Sequence, residues 1–454
     1  MRILLVSPYF PPQAAVASLR VHSFATAWAA AGMNVTVLTT AKRDDQKGWP
    51  KPSTGYRVIE VPYRGSRVFE AVRGASRSAS GSPAPRGENR DSGPAVRLLK
   101  PLVRRLHRFR EQRGIFASVR MPDMTGYWVR PAVQWALEHG PWDLVFSSVG
   151  PYTAHLVGLA IKRAGQGQNW VLEFRDLWVG NPIHPGMFPF TLRERRLERQ
   201  CCASADLVVT VSDPLADRLR SKVSCDVVVA YNGFDREELA GLPSDSIFPD
   251  DGVVRLLFTG SLYGRGQDPD PLLRALARCR DEEGPGTIVG ASRLRLVIAG
   301  ASCDVWQHRA ERLGISDMLD IRGMVRRSNA LRMQRDADGL VLVDFDPGVE
   351  GALTTKLFEY LSVTAPIIVV GGAGDTSMQR FLADSGRALF LGHEEGRIVS
   401  AVRALLDGRP LLETEPGCRR IEHYARDRQA RLLLHRLQQV CDAESPSRST
   451  TSGV

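Results

Sequence analysis

GLVLVDFDPGVEGALTTKLFEYLSVTAPIIVVGG, residues 339–372, reads as a buried strand, a Gly-containing loop, a short helix and a second buried strand. The flanking runs, GLVLVDF (339–345) and PIIVVGG (366–372), are almost continuously apolar, as expected of strands covered on both faces. Strands that alternate with helices in this way imply a doubly wound parallel sheet. The same grammar extends in both directions. Strand candidates are 2–7, 34–39, 57–62, 143–148, 170–174, 206–212 and 226–232 in the first half, then 254–260, 294–300, 318–323 and 387–392 around the quoted stretch. Helical segments fall between them at 17–31, 151–164, 190–204, 213–221, 271–281, 328–337 and 354–362.

A single sheet of that many strands would be unusually large, so the chain is expected to divide. REELAGLPSDSIFPDDG (236–252), polar and lacking periodicity, is the natural boundary. The expected architecture is α/β, with two Rossmann-like doubly wound domains facing each other across a cleft. Residues 1–240 and 241–418 form the two domains, 419–441 a helix returning toward the first, and 442–454 a disordered tail. Ligands of such sheets bind beyond the carboxyl ends of the strands, which directs attention to the loops that follow them.

The 454 residues include 60 Lys plus Arg and 50 Asp plus Glu, a net charge of +10, with 43% hydrophobic and 24% charged residues. Residues 64–120 hold 14 Arg or Lys against 4 Asp or Glu, so they carry the whole excess and the remainder sums to zero. A neutral scaffold with one basic segment argues against a chain built throughout to coat nucleic acid. No run of about 18 apolar residues suggests a membrane span, and ILLVS near the start is too short for a signal-peptide core. Seven cysteines without a C-x-x-C pair, and nine scattered histidines, read as reduced thiols in a cytoplasmic protein with no metal site. Within the insertion, 74–95 is rich in Gly, Ser and Pro and is expected to be disordered. In VRLLKPLVRRLHRFREQR (96–113), Leu98, Leu102, Leu106 and Phe109 recur at helical spacing between basic residues. That pattern fits an anionic membrane surface or a helix packed on the first domain, and the two readings stand level. Without an aromatic stacking platform, nucleic acid comes third.

Two loops carry the chemistry. After the strand ending near Asp344 and Asp346, Thr354 or Thr355 can cap a helix whose first amides suit a phosphate. Lys356 and Glu359, three apart, share its face. Lys can meet a phosphate and Glu a ribose hydroxyl, but spacing fits a solvated Lys–Glu pair equally well. TGSLYGRGQDPDPLL (259–273) runs from a buried strand into a Gly-rich loop bearing Arg265, neither a G-x-G-x-x-G nor a Walker loop. The loop suits phosphate binding, but a Gly-rich turn with an incidental Arg is the more common explanation of such a stretch.

Taken in order, RILLVSPYFPPQ, PWDLVFSSVGPYTAHLVG (141–158), WVLEFRDLWVGNP (170–182), ADLVVTVSDPLADRL (205–219), VAYNGFD (229–235), TGSLYGRGQDP and TTKLFEYLSVTAPII resemble the GT-B fold glycosyltransferases of family 4. The resemblance covers the chain apart from 64–120 and the tail. It implies that Arg265 and Lys356 lie on the donor diphosphate, with Ser261 in the same loop, and offset the charge of the leaving nucleotide without a metal or cofactor. It implies that Glu359 holds the ribose. The first glutamate of the family's E-x7-E pair would fall at Gly351, with Glu350 one place off, so either the loop shifts register and Glu350 serves, or backbone amides of Gly351, Ala352 and Leu353, beside Thr354, remake the donor-sugar contact. In EFRDLW (173–178), Asp176 falls near the acceptor hydroxyl or transferred sugar, unless Arg175 and Asp176 form a structural ion pair. Trp178 is expected in the same cleft-facing loop, and Glu173 stands where relatives have Asp. Ala14 and Ala15 replace the paired glycines of many relatives, leaving Ser18 or Arg20 as candidate contacts for a phosphate or acceptor, and His22 as a helix-face residue.

The expected function is retaining transfer of a sugar from a UDP- or GDP-sugar to a glycan, lipid-linked or small-molecule acceptor. The expected location is the cytoplasm, peripheral on the inner face of the plasma membrane. A nucleotide-sugar 2-epimerase on the same fold and a non-catalytic nucleotide-sugar-binding protein are the competing readings. An NAD-dependent oxidoreductase is disfavoured because SPYFPPQ lacks the glycine fingerprint.

Overall fold

The computed structural model describes residues 1–50, 55–63, 109, 113–115, 119–262, 266–281, 293–345, 353–372, 374, 376–383, 385–412 and 421–443. The expected disordered segment 74–95, most of the basic stretch 96–113, and the tail beyond 443 lie outside these residues. Two wholly parallel sheets organise the described chain. The first contains β1 (Arg2–Val6), β2 (Asn34–Thr40), β3 (Arg57–Val61), β4 (Trp142–Ser148), β5 (Gly167–Phe174), β6 (Leu207–Thr210) and β7 (Val227–Val229), ordered β3-β2-β1-β4-β5-β6-β7. The second contains β8 (Val254–Thr259), β9 (Leu294–Ala299), β10 (Leu319–Gly323), β11 (Gly339–Asp344), β12 (Ile367–Gly371) and β13 (Ala388–Gly392), ordered β10-β9-β8-β11-β12-β13. Each sheet reverses its strand order once, at β1/β4 and at β8/β11. Those reversals are the topological switch points where doubly wound sheets bind ligands.

Continuous apolar strands follow from burial on both faces. On β1, Leu4 and Val6 join a core containing Trp128, Trp170 and Trp178. Their neighbours Ile3 and Leu5 point the other way, into a core with Phe24, Trp28 and Phe146. Side chains alternate across a strand, so both sets must be apolar when helices cover both faces. Register is regular across the reversal, with Ile3 opposite Val35 on one side and Leu144 on the other.

Backbone packing divides the chain into Met1–Ala230 with the chain from Ala430 onward, and Tyr231–Gln429. The stretch expected to link the domains is partly helical. Asp235 caps Arg236–Ala240 by accepting from the amides of Glu237 (3.0 Å) and Glu238 (3.1 Å). This five-residue helix buries no side chain, so it leaves no periodicity in the sequence. The final helix, Arg426–Ala443, begins in the second unit and ends in the first. There Ala430, Leu433, Leu434 and Leu437 share the core of Trp28, whose indole N–H donates to the Ala430 carbonyl at 2.9 Å.

Candidate functional site

In the second unit, residues 95 positions apart meet at the β8/β11 reversal. Lys356 lies at the start of the Thr355–Leu361 helix, beyond β11, and Ser261 follows β8. The Lys356 ammonium donates to the Ser261 carbonyl at 3.4 Å and stands 4.0 Å from the centroid of the Phe258 ring. Its side chain crosses Gly260, which holds a positive φ of 97°. Gly300, after β9, approaches so closely that a Cβ there would lie 1.8 Å from the Gly260 carbonyl oxygen, so no other residue fits without moving the loop. Burial lowers the Lys356 pKa to about 7, with Glu359 opposing the shift. No acidic side chain among the described residues pairs with Lys356, and the solvated Lys–Glu pair allowed by spacing does not form.

Glu359 instead turns inward. Only 7% exposed, it accepts from Arg327 Nη1 at Oε1 (2.8 Å) and from Gln334 Nε2 at Oε2 (3.3 Å). Arg327 also grips Glu238 through Nε and Nη2, and Arg426 lies 3.8 Å from Glu359. Burial works against the charge on Arg327, but Glu359 and Glu238 outweigh it and raise its pKa. Arg426 is pushed the other way, by burial first and then by Arg327. Tyr360 anchors the same helix to β8 by accepting from the Thr259 amide at 2.9 Å. Sequence reasoning missed Arg327, Gln334, Glu238 and Arg426. Nothing in their local pattern marks them, since they converge from three separate helices, Arg327 and Gln334 from Arg327–Asp336, Glu238 from Arg236–Ala240 and Arg426 from the final helix.

Thr354 is the residue before this helix, but its hydroxyl makes no capping bond; the buried Oγ1 has no partner. Leu353 is buried, and its carbonyl accepts from Asn232 Nδ2 at 3.2 Å. Asp344 is also buried and accepts from Thr376 Oγ1 at 2.6 Å. Arg265, Asp346, Glu350, Gly351 and Ala352 lie outside the described residues.

In the first unit, Asp176 follows β5 at the β1/β4/β5 edge. The ion pair with Arg175 does not form. Arg175 spends its guanidinium on backbone carbonyls of Val149, Ala17 and Gly150, each at 2.8 Å, and so staples the ends of β4 and β5 to the start of the first helix. Asp176 retains solvent-exposed surface and has no hydrogen-bonding or ion-pair partner among the described residues. Dense surroundings nonetheless raise its pKa by desolvation, against the pull of Arg175 and His184. Trp178, two residues on in the same loop, packs into the core of the first unit. It is buried, stacks on Tyr152 with centroids 5.1 Å apart, and donates to Glu194.

Arg20 and Ser18 are buried as well. Arg20, 6% exposed, donates from Nε to Glu173 at 2.6 Å and from Nη2 to the Ala230 carbonyl at 2.7 Å. That ties the Val16–Ala30 helix to β5 and to the end of β7. His22 packs edge-on against Tyr56. Arg120 and Glu194 form a second buried pair that holds the loop after Asp176, since Arg120 also donates to the carbonyls of Trp178 and His184. Cys201, Cys202, Cys225, Cys279, Cys303 and Cys441 are free thiols.

Residues 17–238 match the sequence profile described as Glycosyltransferase Family 4. No curated protein sequence gives a significant match. Among solved structures, sucrose-phosphate synthase from Thermosynechococcus elongatus is 14% identical, with 98% of this chain and 100% of that one covered and a TM-score of 0.62. WaaG, a glycosyltransferase involved in lipopolysaccharide biosynthesis, is 14% identical over 98% of this chain and 100% of that one, with a TM-score of 0.52. HepE from Anabaena, solved in complex with UDP-glucose, is 13% identical over 98% and 99%, with a TM-score of 0.53. At these identities the likeness is one of fold.

Proposed function

We propose that this protein is a glycosyltransferase that takes its sugar from a nucleotide-diphosphate donor held at the β8/β11 reversal; residues 17–238 match Glycosyltransferase Family 4, and the two parallel sheets share the fold of solved GT-B glycosyltransferases. The observation that carries this is Lys356, a half-buried amine without an acidic partner among the described residues, held over Gly260 against Ser261. A diphosphate would supply the missing negative charge. As the glycosidic bond breaks, charge builds on the departing nucleotide, and a fixed ammonium stabilises it without rearranging. Arg265, on the loop that follows Ser261, is the second cation of this proposal. Activation by these side chains makes transfer independent of an added divalent metal, which EDTA treatment tests directly.

Thr354 Oγ1, buried and unpartnered, is available to the same ligand. Glu359 receives the ribose hydroxyls, with Arg327 and Gln334 fixing the carboxylate. Backbone at Gly351, Ala352 and Leu353 meets the sugar. In the first unit, Asp176 is the free carboxylate nearest in role to the acceptor hydroxyl, and its desolvation suits a group that exchanges a proton. Arg20 is committed to Glu173 and serves the architecture. UDP-glucose bound to HepE is one donor of the proposed class. The acceptor proposed is a glycan, a lipid-linked glycan or a small molecule, transferred with retention and with the enzyme at the cytoplasmic membrane face. Product stereochemistry by NMR after a single turnover tests retention; an inverted product would refute it. Lys356→Ala should lower transfer by roughly 10²–10³-fold, measured as nucleoside diphosphate released with acceptor present. Unchanged release would remove the phosphate assignment.

A further inference from the structure

RERRLERQ (193–200) reads as a helix of mixed charge, yet the fold sorts its charges by sign. Leu192, Arg195, Arg196 and Arg199 stand at i, i+3, i+4 and i+7 on the Phe190–Ser204 helix, and all are exposed. Glu194, Leu197, Glu198 and Cys201 repeat the same spacing on the opposite, inward side. Glu194 is consumed by Arg120, and Glu198 by Lys222 and the Val179 amide. Both acids are therefore spent inside the protein. Outside remain Arg193, Arg195, Arg196 and Arg199, none paired with an acid among the described residues. An ordinary solvated helix intersperses both signs; this face presents only one.

Apolar side chains occupy the same face. Phe188, just ahead of the helix, is 75% exposed and Leu192 is 55% exposed. Phe109 and Arg113, the described residues of the basic segment, adjoin them. The Gly186 amide donates to the Arg113 carbonyl at 3.2 Å, and Arg113 Nη1 donates back to the Gly186 carbonyl at 3.3 Å. Arg113 lies over the Phe109 ring, itself 41% exposed. Exposed hydrocarbon bordered by unpaired guanidinium groups matches the interface of an anionic bilayer, where phosphates meet acyl chains. A polyanion lacking hydrocarbon offers Leu192 nothing. No helix among the described residues is long and apolar enough to cross a membrane, so the contact is superficial. The patch opens at the end of the loop that begins with Asp176, because a helix following a parallel strand starts at the strand's carboxyl edge.

We propose that the face formed by Phe188, Leu192 and Arg193 to Arg199 is a contact surface for an anionic lipid bilayer, with the arginines on headgroup phosphates and Phe188 and Leu192 in the acyl boundary. This surface is separate from the basic stretch 96–108 and does not depend on the donor assignment. The test is co-sedimentation of the full chain with phosphatidylcholine vesicles, with and without phosphatidylglycerol, at low and high salt. Binding should require phosphatidylglycerol and weaken with salt. The triple substitution Arg195→Gln, Arg196→Gln and Arg199→Gln should lower partitioning roughly fivefold per charge, on the order of a hundredfold together. Phe188→Ser with Leu192→Ser should lower it by roughly tenfold or more, while circular dichroism and thermal midpoint stay unchanged because these side chains are exposed. No binding by the full chain, or equal binding by both variants, would overturn the proposal. So would loss in the arginine variant alone together with tight binding to an oligonucleotide, which would make the face a polyanion site.

Discussion

Lys356 is a cation whose charge is only half secured in the free protein, because burial holds its pKa at about 7. A bound diphosphate restores the missing partner and raises that pKa, so binding takes up a proton near neutral pH. Calorimetry of nucleoside diphosphate binding at pH 7.5, in buffers of different ionisation enthalpy, should therefore show net proton uptake; none would contradict the shift. Affinity should fall as pH rises above about 7, where the free amine loses its proton. In Lys356→Arg the decline should flatten, since guanidinium stays charged throughout. Asp176→Asn should reduce transfer by roughly 10²-fold or more at unchanged thermal midpoint, because its carboxylate makes no described bond that the fold would lose. Neither property was visible in the sequence. EFRDLW places Arg175 beside Asp176 and invites an ion pair, but three backbone carbonyls outcompete the carboxylate. Likewise TTKLFEY puts Lys356 and Glu359 on one helix face, while their partners, Ser261 and Arg327, come from distant parts of the chain.

Elements were far more legible than contacts. Every strand expected from an apolar run appears, most plainly the central ones, where burial on both faces writes itself into consecutive residues and needs no knowledge of partners. The Arg236–Ala240 helix, which buries nothing, left no such mark. Thr354 shows the same limit at a helix start: its identity suggests a cap, yet its hydroxyl caps nothing. Arg20 was readable as a candidate ligand contact from its place in the first helix, but Glu173 could be matched to it only in three dimensions. Arg20→Met should cost about 3–5 kcal/mol by removing the ion-pair partner of buried Glu173. Arg20→Met with Glu173→Leu should recover most of that loss in denaturant unfolding. A double variant no more stable than the single one would show that the pair is not the source of the cost.

At the scale of the molecule, charge and function separate. The two sheets are carried by strands with little charge, while the whole basic excess lies in the insertion between β3 and the Val129–Glu138 helix; the outer face of Phe190–Ser204 is basic only locally, because its acids turn inward. The final helix crosses from one compact unit to the other, so truncation after Gln429 should uncover Trp28 and lower the thermal midpoint of the first unit. A midpoint unchanged by that truncation would deny the helix its place in this core. The match of residues 17–238 to Glycosyltransferase Family 4 and the shared fold support the proposed glycosyltransferase, whereas the donor rests on one half-buried amine and its surroundings. The direct measurement is isothermal titration of a panel of nucleotide-diphosphate sugars into the wild-type chain and Lys356→Ala. At least one donor should bind the wild type, with affinity weakened on the order of a hundredfold in the variant; equal affinity in both, or no binding by any donor, would contradict the account.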